Sequence, residues 1–273
     1  MRHPAVAGQF YSDDERGLRD EIGRCFTGPL GPGRIPKARE KGPRNIVGGI
    51  APHAGYTFSG AVAAHLYSRI AEDGVPATFV IIGPNHTGNG SGIAVTTDDF
   101  QTPLGVARVD REVAKAVRRD LVDEDSTAHA YEHSIEVQLP FIQSLTCDFR
   151  FVPICMGFQD YDAARSVGET VRDALKGKDA VVIASTDLSH YVTQATARAK
   201  DGLALDAVLT MDPKRLFDAV RDENISMCGY GPVMAAMTAC SGAKAEVLKY
   251  ATSGDVRPMR DVVGYASVVF SKK

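Results

Sequence analysis

The sequence predicts an α/β fold: a single domain on a central, largely parallel or mixed β-sheet covered by helices on both faces. Three observations carry this. Short apolar, β-branched runs alternate along the chain with segments of helical periodicity. Those runs are apolar enough to be buried on both sides, as strands between two helical layers must be. The 273 residues suit one large α/β unit, and neither an internal repeat nor a low-complexity segment divides them.

Each element has its own justification. "SDDERGLRDEIGRCF" (12–26) begins with a capping box from Ser12 to Glu15 and sets Leu18, Ile22 and either Cys25 or Phe26 on one helical face. Residues 27–44, "TGPLGPGRIPKAREKGPR", form an exposed Pro/Gly/basic loop within the domain, because too little chain precedes them to build a core. A strand over 45–51 leads to a helix capped by Ser59, with Val62, Leu66 and Ile70 at helical spacing. A strand over 78–83, a Gly-rich turn and strands near 93–97 and 105–109 follow. Asp110 caps a helix carrying Val113, Val117 and Leu121. "HSIEVQLPFIQSL" reads as an interior helix, and strand 149–155, helix 160–176 and strand 179–184 make another βαβ step. Asp212-Pro213 opens a short helix, Pro232 starts another, and "KAEVLKYATS" and "DVVGYASVVF" are the last two strands.

Bulk properties narrow the function. Hydrophobic content of 44%, charged content of 24% and a net charge of −3 are ordinary for a soluble protein. No basic stripe invites nucleic acid. No apolar run reaches the roughly 18 residues of a membrane span, and "MRHPAVAGQFYSDDE" has no apolar core of a signal peptide. The five cysteines are odd in number and contain no C-x-x-C, which fits a reducing cytoplasm better than a disulfide framework or a zinc knuckle.

The chemistry gathers at strand ends. His53 in "APHAGY", His86 in "GPNHTG", and Asp187 and His190 in "STDLSHY" all follow apolar strands at once. Ligands of open α/β sheets bind at the carboxyl ends of the strands, so parallel neighbours would bring these side chains together. Cys228, in the small-residue turn "NISMCGYGP", is added to them. Imidazoles with a carboxylate or thiolate are the usual ligands of Fe, Zn or Cu. His129 and His133 in "HAYEH" have the spacing of a metalloprotease pair without its H-E-x-x-H order, so that activity is rejected. Glu132 and His133 are instead expected to reach the pocket from the start of a helix, which makes His133 a further catalytic candidate. His65 reads as a satisfied mid-helix histidine, and "GNGSG" (88–92) matches no nucleotide-binding loop. Cys228, set among histidines, is expected to be the most reactive thiol.

Seven blocks in order, "RHPAVAGQFY", "APHAGYTFSG", "GPNHTG", "FQTPLG", "EHSIEVQLPF", "STDLSHY" and "CGYGP", resemble the signature blocks of the Memo family and run from residue 2 to about 232. The resemblance implies the fold of class III (LigB-like) extradiol dioxygenases, non-haem Fe(II) enzymes that open catechol rings. It implies His53 and His86 as metal ligands, Cys228 where the dioxygenases have a carboxylate, and Asp187 and His190 lining the pocket, with His190 at the acid/base position. The cofactor would be Fe(II), with Cu or Zn as alternatives. The family has also been linked to phosphotyrosine-peptide recognition in animals, and in prokaryotes to a radical-SAM protein and an AMMECR-type protein as partners. A thiolate in place of a carboxylate softens the site and adds an oxidisable group. Three functions follow as expectations. The first is a metal-dependent redox protein. The second is a non-enzymatic module that binds a peptide or small anion in the same pocket. The third is a Cys228–His190 nucleophile pair.

Overall fold

A computed structural model describes residues 1–273. In chain order its elements are α1 (Glu15–Thr27), β1 (Ile46–Ala51), α2 (Ala61–Asp73), β2 (Thr78–Pro84), β3 (Ile93–Val95), β4 (Phe100–Thr102), β5 (Gly105–Val109), α3 (Arg111–Val117), β6 (Asp123–Glu124) and α4 (Leu139–Leu145). Then come β7 (Arg150–Met156), α5 (Tyr161–Ala174), β8 (Ala180–Ser185), β9 (His190–Val192), α6 (Gln194–Leu209), α7 (Pro213–Asp222), α8 (Tyr230–Ala239), β10 (Lys244–Thr252), α9 (Ser253–Val256) and β11 (Val262–Ser271). No helix is long and apolar enough to cross a membrane.

The strands form one mixed sheet in the order β10-β11-β1-β8-β2-β7-β3-β6. Its centre, β1-β8-β2-β7, is parallel throughout, while β11 and β3 join it antiparallel. Every residue of β2 is buried, as a strand with helices on both faces requires. Adjacent glycines of β1 mark the two faces. A Cβ on Gly49 would lie 2.6 Å from Leu66 of α2, and one on Gly48 would lie 2.7 Å from Cys240 at the end of α8. Successive strand residues point to opposite faces, so α2 and α8 press on β1 from opposite sides, and only glycine lets both approach so closely. Because the four central strands are parallel, their carboxyl ends share one edge of the sheet.

Several local details differ from the sequence reading. The cap of α1 is Asp14, whose carboxylate accepts from Gly17 N, while Ser12 hydrogen-bonds to Asp14 instead of capping. Ser59 lies inside a π-helical turn, Tyr56–Gly60, that precedes α2, and its hydroxyl donates to Ala54 O. Asp110 does cap α3, but that helix stops at Val117 and Leu121 is exposed. The segment 136–145 starts as a 3-10 turn before becoming α4. Residues 28–45 carry no helix or strand.

A candidate metal centre at the carboxyl edge of the sheet

β1 ends at Ala51, and Pro52 turns the chain so that His53 sits against the end of the neighbouring β8. The His53 side chain is buried. Its Nδ1 lies 3.0 Å from Ser185 Oγ, and its Nε2 lies 3.3 Å from Cys228 Sγ. The hydrogen-bond network fixes the tautomer. Ser185 Oγ gives its one proton to Ser134 O at 2.6 Å, so it must accept from its other partners. One of these is Gln138 Nε2 at 2.8 Å, an amide oriented by donating to Pro52 O and by accepting from Tyr67 Oη. His53 Nδ1 therefore carries the proton, and the Nε2 lone pair faces the thiol. Burial first, then the neighbouring His133 and His86, hold this imidazole well below the usual histidine value, so it is neutral.

β2 runs straight into the turn that carries His86. The backbone N–H and Nδ1 of His86 both donate to the Glu132 carboxylate, Nδ1 at 3.0 Å. The same carboxylate accepts from the backbone N–H groups of His133 and Ser134 at 2.9 and 2.8 Å. Burial pushes the Glu132 carboxyl up. The His86 hydrogen bond and charge and the Ser134 N–H outweigh it and hold the group down to about 2. An ionised carboxylate only accepts, so His86 too is protonated on Nδ1 and presents Nε2. Orienting a ligand histidine by a carboxylate on its far nitrogen is the usual support for a metal site.

Cys228 lies in the turn before α8. Its Sγ accepts from Asp187 N at 3.3 Å, and Gln159, just beyond β7, donates from Nε2 to Cys228 O and accepts from Gly231 N, both at 2.9 Å. Burial and then the Asp187 carboxylate push the thiol up to about 12, so without a metal it is a thiol and not a nucleophilic thiolate. This argues against the nucleophile reading, as does the pairing: the imidazole on Cys228 is His53. His190 turns its Nδ1 to Ser226 O at 2.8 Å, which leaves its Nε2 as the acceptor. Asp187 accepts the His53 backbone N–H at 2.8 Å, and burial raises its carboxyl to about 6.

The ligand atoms of His53, His86 and Cys228 all lie within 4.8 Å of one another. Two imidazoles whose Nδ1 is committed to a hydrogen bond, and one thiol that can ionise, make a coherent donor set for a borderline or soft transition metal. His86, Glu132 and His133 form a second group of the same span. Glu132 and His133 reach the site from an irregular stretch and not from a helix start. Glu132, expected at the pocket, supports His86, while Ser185, Gln138 and Gln159 are supporting residues that the sequence reading did not assign. Elsewhere, His65 Nε2 is satisfied by Leu30 O, and the buried His129 Nε2 donates to Ala94 O. The loop 85–92 is knotted by Asn85 Oδ1, which accepts from Thr87 N and Gly88 N. A cavity of about 420 Å³ lined by Arg172, Lys178, Lys272 and Lys273 lies at the opposite edge of the sheet. The carboxyl ends of α5 and α8 meet there, and those cations complement the helix dipoles.

A mixed sheet between two helical layers, with imidazoles and a thiol gathered beyond its parallel strands, defines an α/β protein with a candidate metal site at the carboxyl edge of its sheet. The chain belongs to the Memo-like protein family, whose model matches residues 2–269. It is 49% identical to the MEMO1 family protein MK0963 of Methanopyrus kandleri, over 99% of each chain. With the MEMO1 family protein MTH_45 of Methanothermobacter thermautotrophicus it shares 46% identity over 97% of this chain and 99% of that one. The MEMO1 family protein of Archaeoglobus fulgidus is 42% identical, with 99% of each chain covered. Among solved structures, the uncharacterised protein JW3007 of Escherichia coli K12 superposes with a TM-score of 0.55 over 82% of this chain and 99% of that one. At 13% identity that likeness concerns the fold alone.

Proposed function

We propose that the protein binds one transition-metal ion, Fe(II) before Cu or Zn, through His53, His86 and Cys228, and that the loaded site carries out metal-dependent redox chemistry of a dioxygenase-like kind on a small organic ligand. The observation that carries this is the pair of tautomers. Ser185 and Glu132 independently hold the Nδ1 proton of the two imidazoles, which leaves Nε2 as the nitrogen that can bind, and His53 Nε2 faces the Cys228 thiol. When bound, the ion supplies Lewis-acid polarisation and an accessible redox couple.

The chain's own groups do the rest. Cys228 gives up its proton on loading, so affinity rises with pH. Asp187 acts through His53, holding its backbone N–H and hence the direction of its ring. His190 Nε2, with Nδ1 committed to Ser226, accepts a proton from an entering ligand. Anaerobic loading with Fe(II), Cu(I) or Zn(II) followed by elemental analysis tests the reading. About one ion per chain is expected for the wild type. His53→Ala and His86→Ala should each lose it, and His65→Ala should keep it. A wild-type protein that stays metal-free with all three ions sinks the metal reading and leaves a binding module without turnover. His190→Ala should retain metal but change the pH profile of any turnover. Loss of metal as complete as in His53→Ala would make His190 a ligand instead.

A further inference from the structure

Four histidines surround the site, and three have Nδ1 tied down: His53 to Ser185, His86 to Glu132 and His190 to Ser226. The His133 ring makes no hydrogen bond. Its Nδ1 lies 3.5 Å from Glu132 Oε1, longer than an ordinary hydrogen bond. That oxygen already accepts from His86 Nδ1 and from two backbone N–H groups. Packing alone holds the ring. Phe10 meets it edge-on at 4.8 Å between centroids, and its side chain is only 20% exposed. With a fifth of the side chain exposed and neither nitrogen sealed from solvent, both nitrogens are free to take a ligand.

The spacing of the rings says what. The centroids of His53, His86 and His133 are 5.1, 5.4 and 4.7 Å apart. Three imidazoles bound to one tetrahedral ion, with metal–nitrogen bonds of about 2.0–2.1 Å, have centroids roughly 5 Å apart. His133 now lies nearly parallel to His86, at 24°, so its ring must turn before a nitrogen can point at the ion. No hydrogen bond resists that turn. We propose that His133 is a fourth, detachable ligand, closing a three-His, one-Cys site when no substrate is present and leaving it when a ligand enters. The proposal rests on the metal reading above and adds to it how the open position is guarded.

Co(II) is the probe, titrated anaerobically into the full chain. A thiolate-to-cobalt charge-transfer band reports Cys228, and the intensity of the visible bands reports coordination number, four-coordinate cobalt absorbing most strongly. The wild type should show both the charge-transfer band and strong visible bands. His133→Gln should keep the charge-transfer band, lose most of the visible intensity and bind roughly tenfold more weakly or worse. Free imidazole added to His133→Ala should restore the intensity, which a merely structural role would not allow. If both variants fold and bind Co(II) with wild-type affinity and intensity, His133 is not a ligand. If the wild type lacks the charge-transfer band, the metal reading itself falls and takes this proposal with it.

Discussion

Ser185 and Glu132 are the residues on which the donor set depends, since each decides which nitrogen of a histidine faces inward. Glu132→Gln should weaken metal binding by about 10–100-fold while leaving the fold intact, measured by competition against a chromophoric chelator. An unchanged affinity would mean that the carboxylate does not orient His86. A second outcome at this scale reverses the sequence expectation for Cys228. Burial and Asp187 hold its thiol at about 12, whereas Cys147 is free and exposed. Partial alkylation followed by mass spectrometry should label Cys147 first and Cys228 slowly, with metal slowing Cys228 further. Rapid labelling of Cys228 in the metal-free protein would contradict its raised thiol. The histidines and Cys228 were legible because each follows an apolar run or opens a small-residue turn. Their pairings were not: Ser185 lies 132 residues from His53, and Glu132, though expected at the pocket, lies 46 from His86. Nothing local in a sequence ties such pairs together.

Among the elements, the N-terminal segment acts as a strap across the back of the site. Arg2 pairs with Glu136 in the interior and donates to the carbonyls of His129 and Glu132. Glu136 also accepts from Ala5 N, Val6 N and Tyr11 Oη. The strap thus grips both sides of the stretch that carries Glu132 and His133. With both partners almost fully buried, Arg2→Met strands a charge and should cost about 3–5 kcal/mol in denaturant unfolding. Adding Glu136→Gln should recover part of that loss. A loss below 1 kcal/mol in the single variant would show that the pair is solvated. Reading helices from periodicity worked where a stripe exists and failed where it does not. α6 was missed because its buried side is made of alanines, two larger apolar residues and the carboxylate of Asp201. Asp201 is satisfied in the interior by Ser189 N and Tyr250 Oη, a partnership that no periodicity announces. β4, β6 and β9, of two or three residues each, are too short to show alternation.

For the whole molecule, the buried histidines set the response to acid. Burial lowers His129 to about 4 from a usual 6.5. Between those values the unfolded chain binds a proton that the folded chain does not, so stability falls as pH drops from about 6.5 towards 4. His129 alone should cost about 2 kcal/mol between pH 7.5 and pH 5. His53 and His133 shift the same way, so the test is a comparison. Denaturant unfolding of His129→Gln should show a loss over that interval smaller by about that amount. Parallel slopes for variant and wild type would contradict the assignment. The parallel centre of the sheet gives all of this its geometry. It places β1, β8, β2 and β7 side by side, and their loops deliver His53, Asp187, His86 and Gln159 to one edge, where Cys228 meets them. X-ray absorption at the metal edge of anaerobically Fe(II)-loaded protein tests that convergence most directly. Imidazole scattering together with one sulfur ligand is expected, with loss of the sulfur in Cys228→Ser. Iron surrounded by oxygen or nitrogen alone in the wild type, or a sulfur that survives the substitution, would contradict it.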